Sequence, residues 1–149
     1  MIINTVTLKQ MTSLVEGART IMVSSVDENG FPNTKQMFRK VHKGLSTFWF
    51  STNTSSIRTK QFLANAKACL YFAGEGNGLM LIGEMKVCHD SASRKLLWTE
   101  GDEKYYSLGI DDPDYCVYEF TSISGNYYFN LEKHLFTMEE LNESALYPM

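Results

Sequence analysis

Between Phe48 and Leu63 the chain reads Phe-Trp-Phe-Ser-Thr-Asn-Thr-Ser-Ser-Ile-Arg-Thr-Lys-Gln-Phe-Leu. An aromatic run of high β propensity delivers the backbone into a loop of hydroxyls, and that loop opens a helical segment with Arg58 and Lys60 in its first turn. Such a junction has the chemistry of an anion cradle. First-turn N–H groups lack intrahelical partners, the helix dipole is positive there, Ser and Thr hydroxyls add donors, and Arg58 offers a two-pronged fork. Cations in a first turn are otherwise mildly unfavourable, so Arg58 and Lys60 need a reason to be there. An ordinary capped helix with solvated basic side chains uses the same residues, and the residue types alone leave both readings open.

A second constellation follows Asn33, where Lys35, Gln36, Met37, Arg39 and Lys40 are set among apolar residues. Alternate residues of a barrel strand face inward, so some of these groups can line a cleft, and Lys35 and Gln36 can donate to the carbonyl oxygens of a planar ligand. A solvated strand face is the competing reading.

Other chemistries find little support. Gly74-Glu75-Gly76-Asn77-Gly78 is followed by a strand-like run rather than a helix, so it reads as a hairpin loop and not a nucleotide loop. His42, His89 and His134 have no metal-ligand spacing and no serine in a nucleophile elbow nearby. Cys69, Cys88 and Cys116 are odd in number and widely spaced, as expected of buried free thiols in a reducing cytoplasm. A net charge of −3 gives no general attraction to nucleic acid or to an anionic membrane. No window approaches the length of a membrane span and the start lacks signal-peptide character, so a cytoplasmic protein is expected.

The elements that must position these groups follow from periodicity. Leu8, Met11, Leu14 and Val15 recur at helical spacing and stop near Gly17. Residues 20–26 are β-rich, and Asp27-Glu28-Asn29-Gly30 marks a hairpin turn. Strands are expected over about 33–42, 45–52, 68–73 and 79–88, with a helix over about 57–65 capped by Ser55 or Ser56. Asp90 suits the cap of a further helix reaching about Thr99. Residues 115–122 alternate, with Cys116, Tyr118 and Phe120 on one face, and 125–131 is expected to pair back onto them. Thr137-Met138-Glu139-Glu140 has the pattern of a capping box. About seven strands and three or four short helices, with no βαβ rhythm, favour a closed antiparallel barrel. A single domain over residues 1–149, with its core over about 7–135, is long enough to fold without metal or disulfide. Its 9 Phe, 8 Tyr and 2 Trp are more ring surface than a small core needs.

The Asp27–Gly30 turn, the polar strand after it, Trp49-Phe50-Ser51-Thr52 and Ser56-Ile57-Arg58 come in a telling order. Gly83 in a strand, Leu97-Trp98 at a helix end and Gly109-Ile110-Asp111-Asp112-Pro113-Asp114 before a strand continue it. Over about Thr7 to Phe129 the chain resembles the pyridoxamine 5′-phosphate oxidase-like family of FMN-binding split barrels, most closely its general stress protein branch. The resemblance implies a mainly β, antiparallel, Greek-key-like split barrel with short helices. It implies that Ser56 and Arg58 hold the FMN phosphate, with Thr59 or Lys60 as helpers. Phe50, Ser51 and Thr52 would lie along the flavin, largely through their backbone. Lys35, Gln36 and Met37 match the strand that faces the isoalloxazine ring, where such families often place an Arg beside the position of Gln36; Lys35 keeps that charge and loses the planar fork.

The resemblance also implies a homodimer with FMN at its interface, Trp98 or Tyr106 reaching the partner's site. Phe38, Phe48, Trp49, Phe50, Trp98, Tyr105 and Tyr106 would then cover a cofactor and a second subunit. The implied activity is that of a flavin-dependent oxidoreductase using reduced nicotinamide and an unknown small-molecule acceptor. A non-catalytic module that stores or senses flavin, or takes haem or a deazaflavin, is the alternative. True vitamin B6 oxidases end in a basic, histidine-bearing segment, whereas this chain ends Asn142-Glu143-Ser144-Ala145-Leu146-Tyr147-Pro148-Met149, which disfavours oxidation of pyridoxamine phosphate itself.

Overall fold

The structure, a computed structural model, describes residues 3–38 and 41–144. Eight strands organise them: β1 Thr20–Val26, β2 Pro32–Phe38, β3 Val41–Lys43, β4 Thr47–Asn53, β5 Lys67–Ala73, β6 Asn77–Cys88, β7 Tyr115–Phe129 and β8 Glu132–Thr137. The connections hold helices α1 Thr5–Gly17, α2 Ile57–Ala64, α3 Ser91–Leu97 and α4 Met138–Glu143, with single 3-10 turns at Asp102–Lys104 and Gly109–Asp111. The strand expected over 33–42 is seen as β2 and β3, on either side of Arg39 and Lys40, which lie outside the described residues.

All pairings are antiparallel, in the order β2-β1-β5-β6-β7-β4-β3 with β8 also on β7. The long strand β7 carries the division. Along one edge it pairs with β6, while its other edge is shared between β4 at Tyr115–Thr121 and β8 at Ser124–Phe129. A curled sheet forked in this way is a split barrel, mainly β with short helices, as expected.

Residues 115–122 and 125–131 are not two strands paired with each other. They form one 15-residue strand, and the chain reverses at Asn130 and Leu131, whose φ values are +53° and +63°. Ser124-Gly125 has the composition of a turn, but Gly125 is small for packing: a Cβ there would run into the Phe136 ring on β8. At Gly83 the β6–β7 register shifts, and a Cβ would meet the Thr121 carbonyl oxygen, so the bulge requires glycine.

α1 is capped by Asn4, whose Oδ1 accepts from the Thr7 N–H at 2.8 Å, and it buries Leu8, Met11 and Val15 on one stripe. These pack with Ile21, Phe48, Phe50, Leu70, Phe72 and Phe120 in the main core. A second cluster of Leu97, Tyr106, Tyr115 and Val117, with Trp49 and Trp98 against it, covers the other face of β4 and β7. β7 therefore starts as a fully buried run, Tyr115 to Tyr118, rather than with one apolar face. This second cluster also takes up much of the aromatic surplus. Phe48 and Phe50 are sealed in the chain's own core, while Phe38 and Tyr105 are exposed.

Among the described residues no helix is long and apolar enough to cross a membrane.

Candidate functional site

β4 hands the chain to α2 through a loop that Asp114 holds. The Thr54 N–H donates to the Asp114 carbonyl at 2.7 Å, the Ser55 N–H to its Oδ1 at 2.8 Å, and the Asn53 side-chain amide to its Oδ2 at 2.8 Å. Hydrogen bonding, first from the Asn53 side chain and then from Ser55, lowers the Asp114 carboxyl below its ordinary value of 3.8. A group with a depressed native pKa stabilises the fold fully above its unfolded value and loses that contribution as pH falls through the native one. Asp114→Asn should therefore flatten the acid limb of the melting temperature measured between about pH 5 and pH 2, without altering its value's dependence on pH above 6.

Ser56 is the N-cap of α2, its Oγ accepting from the Thr59 N–H at 3.3 Å. Three hydroxyls meet beneath it. Thr59 Oγ1 donates to the Asn53 carbonyl at 2.7 Å, which uses its one proton, so Tyr118 must donate to Thr59 Oγ1 across 2.5 Å. With those two protons engaged, the Ser56 hydroxyl is the donor in its 3.1 Å contacts with Thr59 Oγ1 and Tyr118 OH, and holds the one proton of the three not tied to a single acceptor. Ser56 can turn that proton toward a ligand. Thr59 is buried and its donor is engaged inside the protein, so it supports the turn rather than facing outward.

Arg58 follows, 6% exposed. Its Nη2 donates to Thr52 Oγ1 at 3.4 Å, its Nε has no partner, and among the described residues no carboxylate pairs with it. A buried guanidinium without a counter-charge carries a desolvation cost of several kcal/mol. An anion bound at the start of α2 removes that cost, and a phosphate matches the fork and the free helix N–H groups.

The remaining predicted residues divide. Lys35 and Met37 share one face of β2, opposite Val23 and Ile21, with Met37 buried in the core and Lys35 exposed. Gln36 points to the other face, where its amide donates to Thr20 Oγ1 at 2.9 Å. The strand pleat thus prevents all three side chains from facing one ring. Phe50 is sealed in the core and Thr52 is buried against Arg58, while Ser51 lies half-buried on the reverse face of β4. Among the described residues β3 pairs with β4 as far as Trp49, and no pairing on that edge is seen from Phe50 onward. Lys60 is exposed.

Trp98 is not brought to the Arg58 cradle of its own chain. It packs on Tyr106 and Tyr115, ring centroids 6.1 and 5.2 Å away, in the cluster on the other side of β4 and β7. Tyr106 links the two sides, its OH donating to the Thr52 carbonyl at 2.8 Å; burial pushes this phenol up to about 12, so it stays a donor. Sequence reasoning passed over Arg94, which ties the whole segment down. Arg94 Nε donates to the His89 carbonyl at 3.0 Å and Nη1 to those of Ile110 and Asp112 at 2.7 and 3.0 Å.

No other chemistry competes at this place. Among the described residues no group of three metal-ligand side chains occurs, and burial pushes the Cys69, Cys88 and Cys116 thiols up, away from the reactive thiolate. A groove of about 590 Å³ lined by Val6, Gln10, Leu14, Asn77 and Phe129 sits at the far end of β7. It is wide open and contains no buried unpaired charge, so the cradle at Arg58 is the stronger candidate.

Comparison with known proteins shows the family and the fold. No curated protein matches the sequence. Among solved structures, a Clostridium acetobutylicum protein described as related to general stress protein 26 of B. subtilis, of the pyridoxinephosphate oxidase family, is 45% identical, with 93% of this chain and 99% of that one covered at a TM-score of 0.83. General stress protein 26 from Bacillus anthracis str. Sterne shares the fold at 18% identity, covering 87% of this chain and 98% of its own with a TM-score of 0.69. A heme binding protein from Mycobacterium smegmatis shares it at 12% identity and a TM-score of 0.72, covering 93% of this chain and 60% of its own. The sequence model of pyridoxamine 5′-phosphate oxidase matches residues 7–128, and on that span the chain belongs to the pyridoxamine 5′-phosphate oxidase family.

Proposed function

We propose that the chain is an FMN-binding flavoprotein of the general stress protein type, a cytoplasmic homodimer that passes electrons from a reduced nicotinamide to a small-molecule acceptor. One observation carries the reading: Arg58 is a buried cation with an unpartnered Nε at the first turn of α2, and a phosphate monoester is its complement. Ser56 adds a hydroxyl that can turn its proton from Thr59 and Tyr118 to the same anion. Bound flavin would supply hydride chemistry at its N5. The protein's own share is to anchor the phosphate through Arg58 and Ser56, to border the ring with the backbone of Phe50–Thr52, and to donate toward the ring from Lys35. Met22, Tyr71, Ile82 and Leu135 leave an apolar outer face that supports a second copy, and the unpaired cysteines suit a reducing compartment.

The fold shared with a heme binding protein favours a second reading, a binding module without turnover. The two separate cleanly. Protein carrying FMN should show flavin absorbance bands, melt at a higher temperature than without FMN, and oxidise NADH or NADPH steadily. An inert but tightly held flavin selects the module, a Soret band selects haem, and neither bands nor a thermal shift at saturating FMN overturns the flavin reading.

A further inference from the structure

Resting on the FMN reading, we propose that Gln61 is a positioning residue that sets the spacing between the phosphate half and the ring half of the site, and so selects ligands in which the two are joined. α2 lies between the two margins of the sheet. Arg58 reaches β4 through Thr52, and Gln61, one turn further on the helix, reaches the opposite margin. There Gln61 Oε1 accepts from Ser25 Oγ on β1 at 2.5 Å and from the Asn33 amide on β2 at 3.0 Å. Among the described residues, the hydrogen bonds from α2 to β1 and β2 run through this one side chain. Asn33 and Lys35 are two apart on β2 and share its face, so Gln61 connects the turn that holds the anion to the strand that carries Lys35.

Two weak subsites reinforce each other only when their separation matches the ligand that spans them. A tie that fixes the separation keeps the competent arrangement populated, and its loss weakens the spanning ligand in proportion to the population lost. Ligands that occupy one half alone do not sense the separation. The tie has no other visible use in the site, because Gln61 makes none of the Arg58, Ser56 or Thr52 contacts.

The test uses Gln61→Met, which keeps the volume and loses the acceptor, and Asn33→Ala, which breaks the tie from β2. FMN, riboflavin and inorganic phosphate are titrated into the full chain and each variant. FMN should bind about tenfold more weakly to either variant and no more weakly to the double variant, while riboflavin and phosphate change by less than about twofold. Unchanged FMN affinity overturns the proposal, as does an equal loss for FMN and riboflavin, which would put Gln61 on the ring. A full-length wild-type chain that binds no FMN defeats instead the reading on which it rests.

Discussion

Replacing Arg58 with Ala should weaken FMN about ten- to a hundredfold while leaving riboflavin within about twofold, since a charge-assisted hydrogen bond contributes roughly 1.5–3 kcal/mol and only FMN carries the phosphate. The same residue should show the opposite sign in stability. Arg58 is buried beside Thr52 with its Nε unpartnered, so without an anion the guanidinium is a cost to the fold. Arg58→Met keeps the packing of the stem and removes the charge, and should raise the melting temperature of the ligand-free protein while abolishing the increase that FMN produces. A differential scan with and without FMN reads both effects. Equal losses for FMN and riboflavin would remove Arg58 from the phosphate. A ligand-free Arg58→Met protein that melts lower would mean that the guanidinium is already satisfied inside the protein.

Arg94→Ala should cost on the order of 3 kcal/mol, lowering the melting temperature by about 10 °C, the largest loss expected from a polar substitution in this chain. Three carbonyls, of His89, Ile110 and Asp112, lose a charged donor at once, and the cation also leaves the Tyr115 ring, 5.5 Å from its centroid. The consequence reaches the cradle. The segment Arg94 secures contains Tyr106, which holds the Thr52 carbonyl, and leads to Asp114, which holds Thr54 and Ser55. FMN affinity should therefore fall together with stability, although Arg94 sits across β4 and β7 from Arg58. Arg94→Lys should rescue little of it, because a single ammonium cannot serve carbonyls on both sides of the guanidinium fork. Thermal melts and FMN titrations on the two variants check this; a variant that loses stability but binds FMN normally would uncouple the second cluster from the site.

Local chemistry in the sequence made α2 and its cap readable: Ser56 after a run of hydroxyls, then Arg58, is a signal contained within a few residues. The same holds for α4, where Thr137 Oγ1 accepts from the Glu140 N–H at 3.1 Å and donates to the Glu140 carboxylate at 3.0 Å. Which members of a polar strand face inward is set by the register, and on β2 the pleat puts Lys35 and Met37 on one face and Gln36 on the other. β8 was missed because Glu132-Lys133-His134 is polar enough to pass for a loop, as an edge strand often does. Trp98, expected from the resemblance to reach a partner's site, packs within its own chain in the second core, a contact no local pattern announces.

The partners that shape the site were illegible for another reason. Tyr118 meets Thr59 across 59 residues, and Asp114 meets Ser55 across 59. No local pattern announces such contacts, because the closing of the barrel, not the neighbouring sequence, brings β7 under α2. The count of charges was equally silent about Arg58. A net −3 excludes a polyanion but says nothing of a single buried cation whose Nε has no partner.

The most direct measurement is an equilibrium titration of the wild-type chain with FMN and with riboflavin, followed by quenching of flavin fluorescence. The Arg58 cradle requires saturable FMN binding at least about tenfold tighter than riboflavin binding. No FMN binding, or equal affinity for the two flavins, would contradict it.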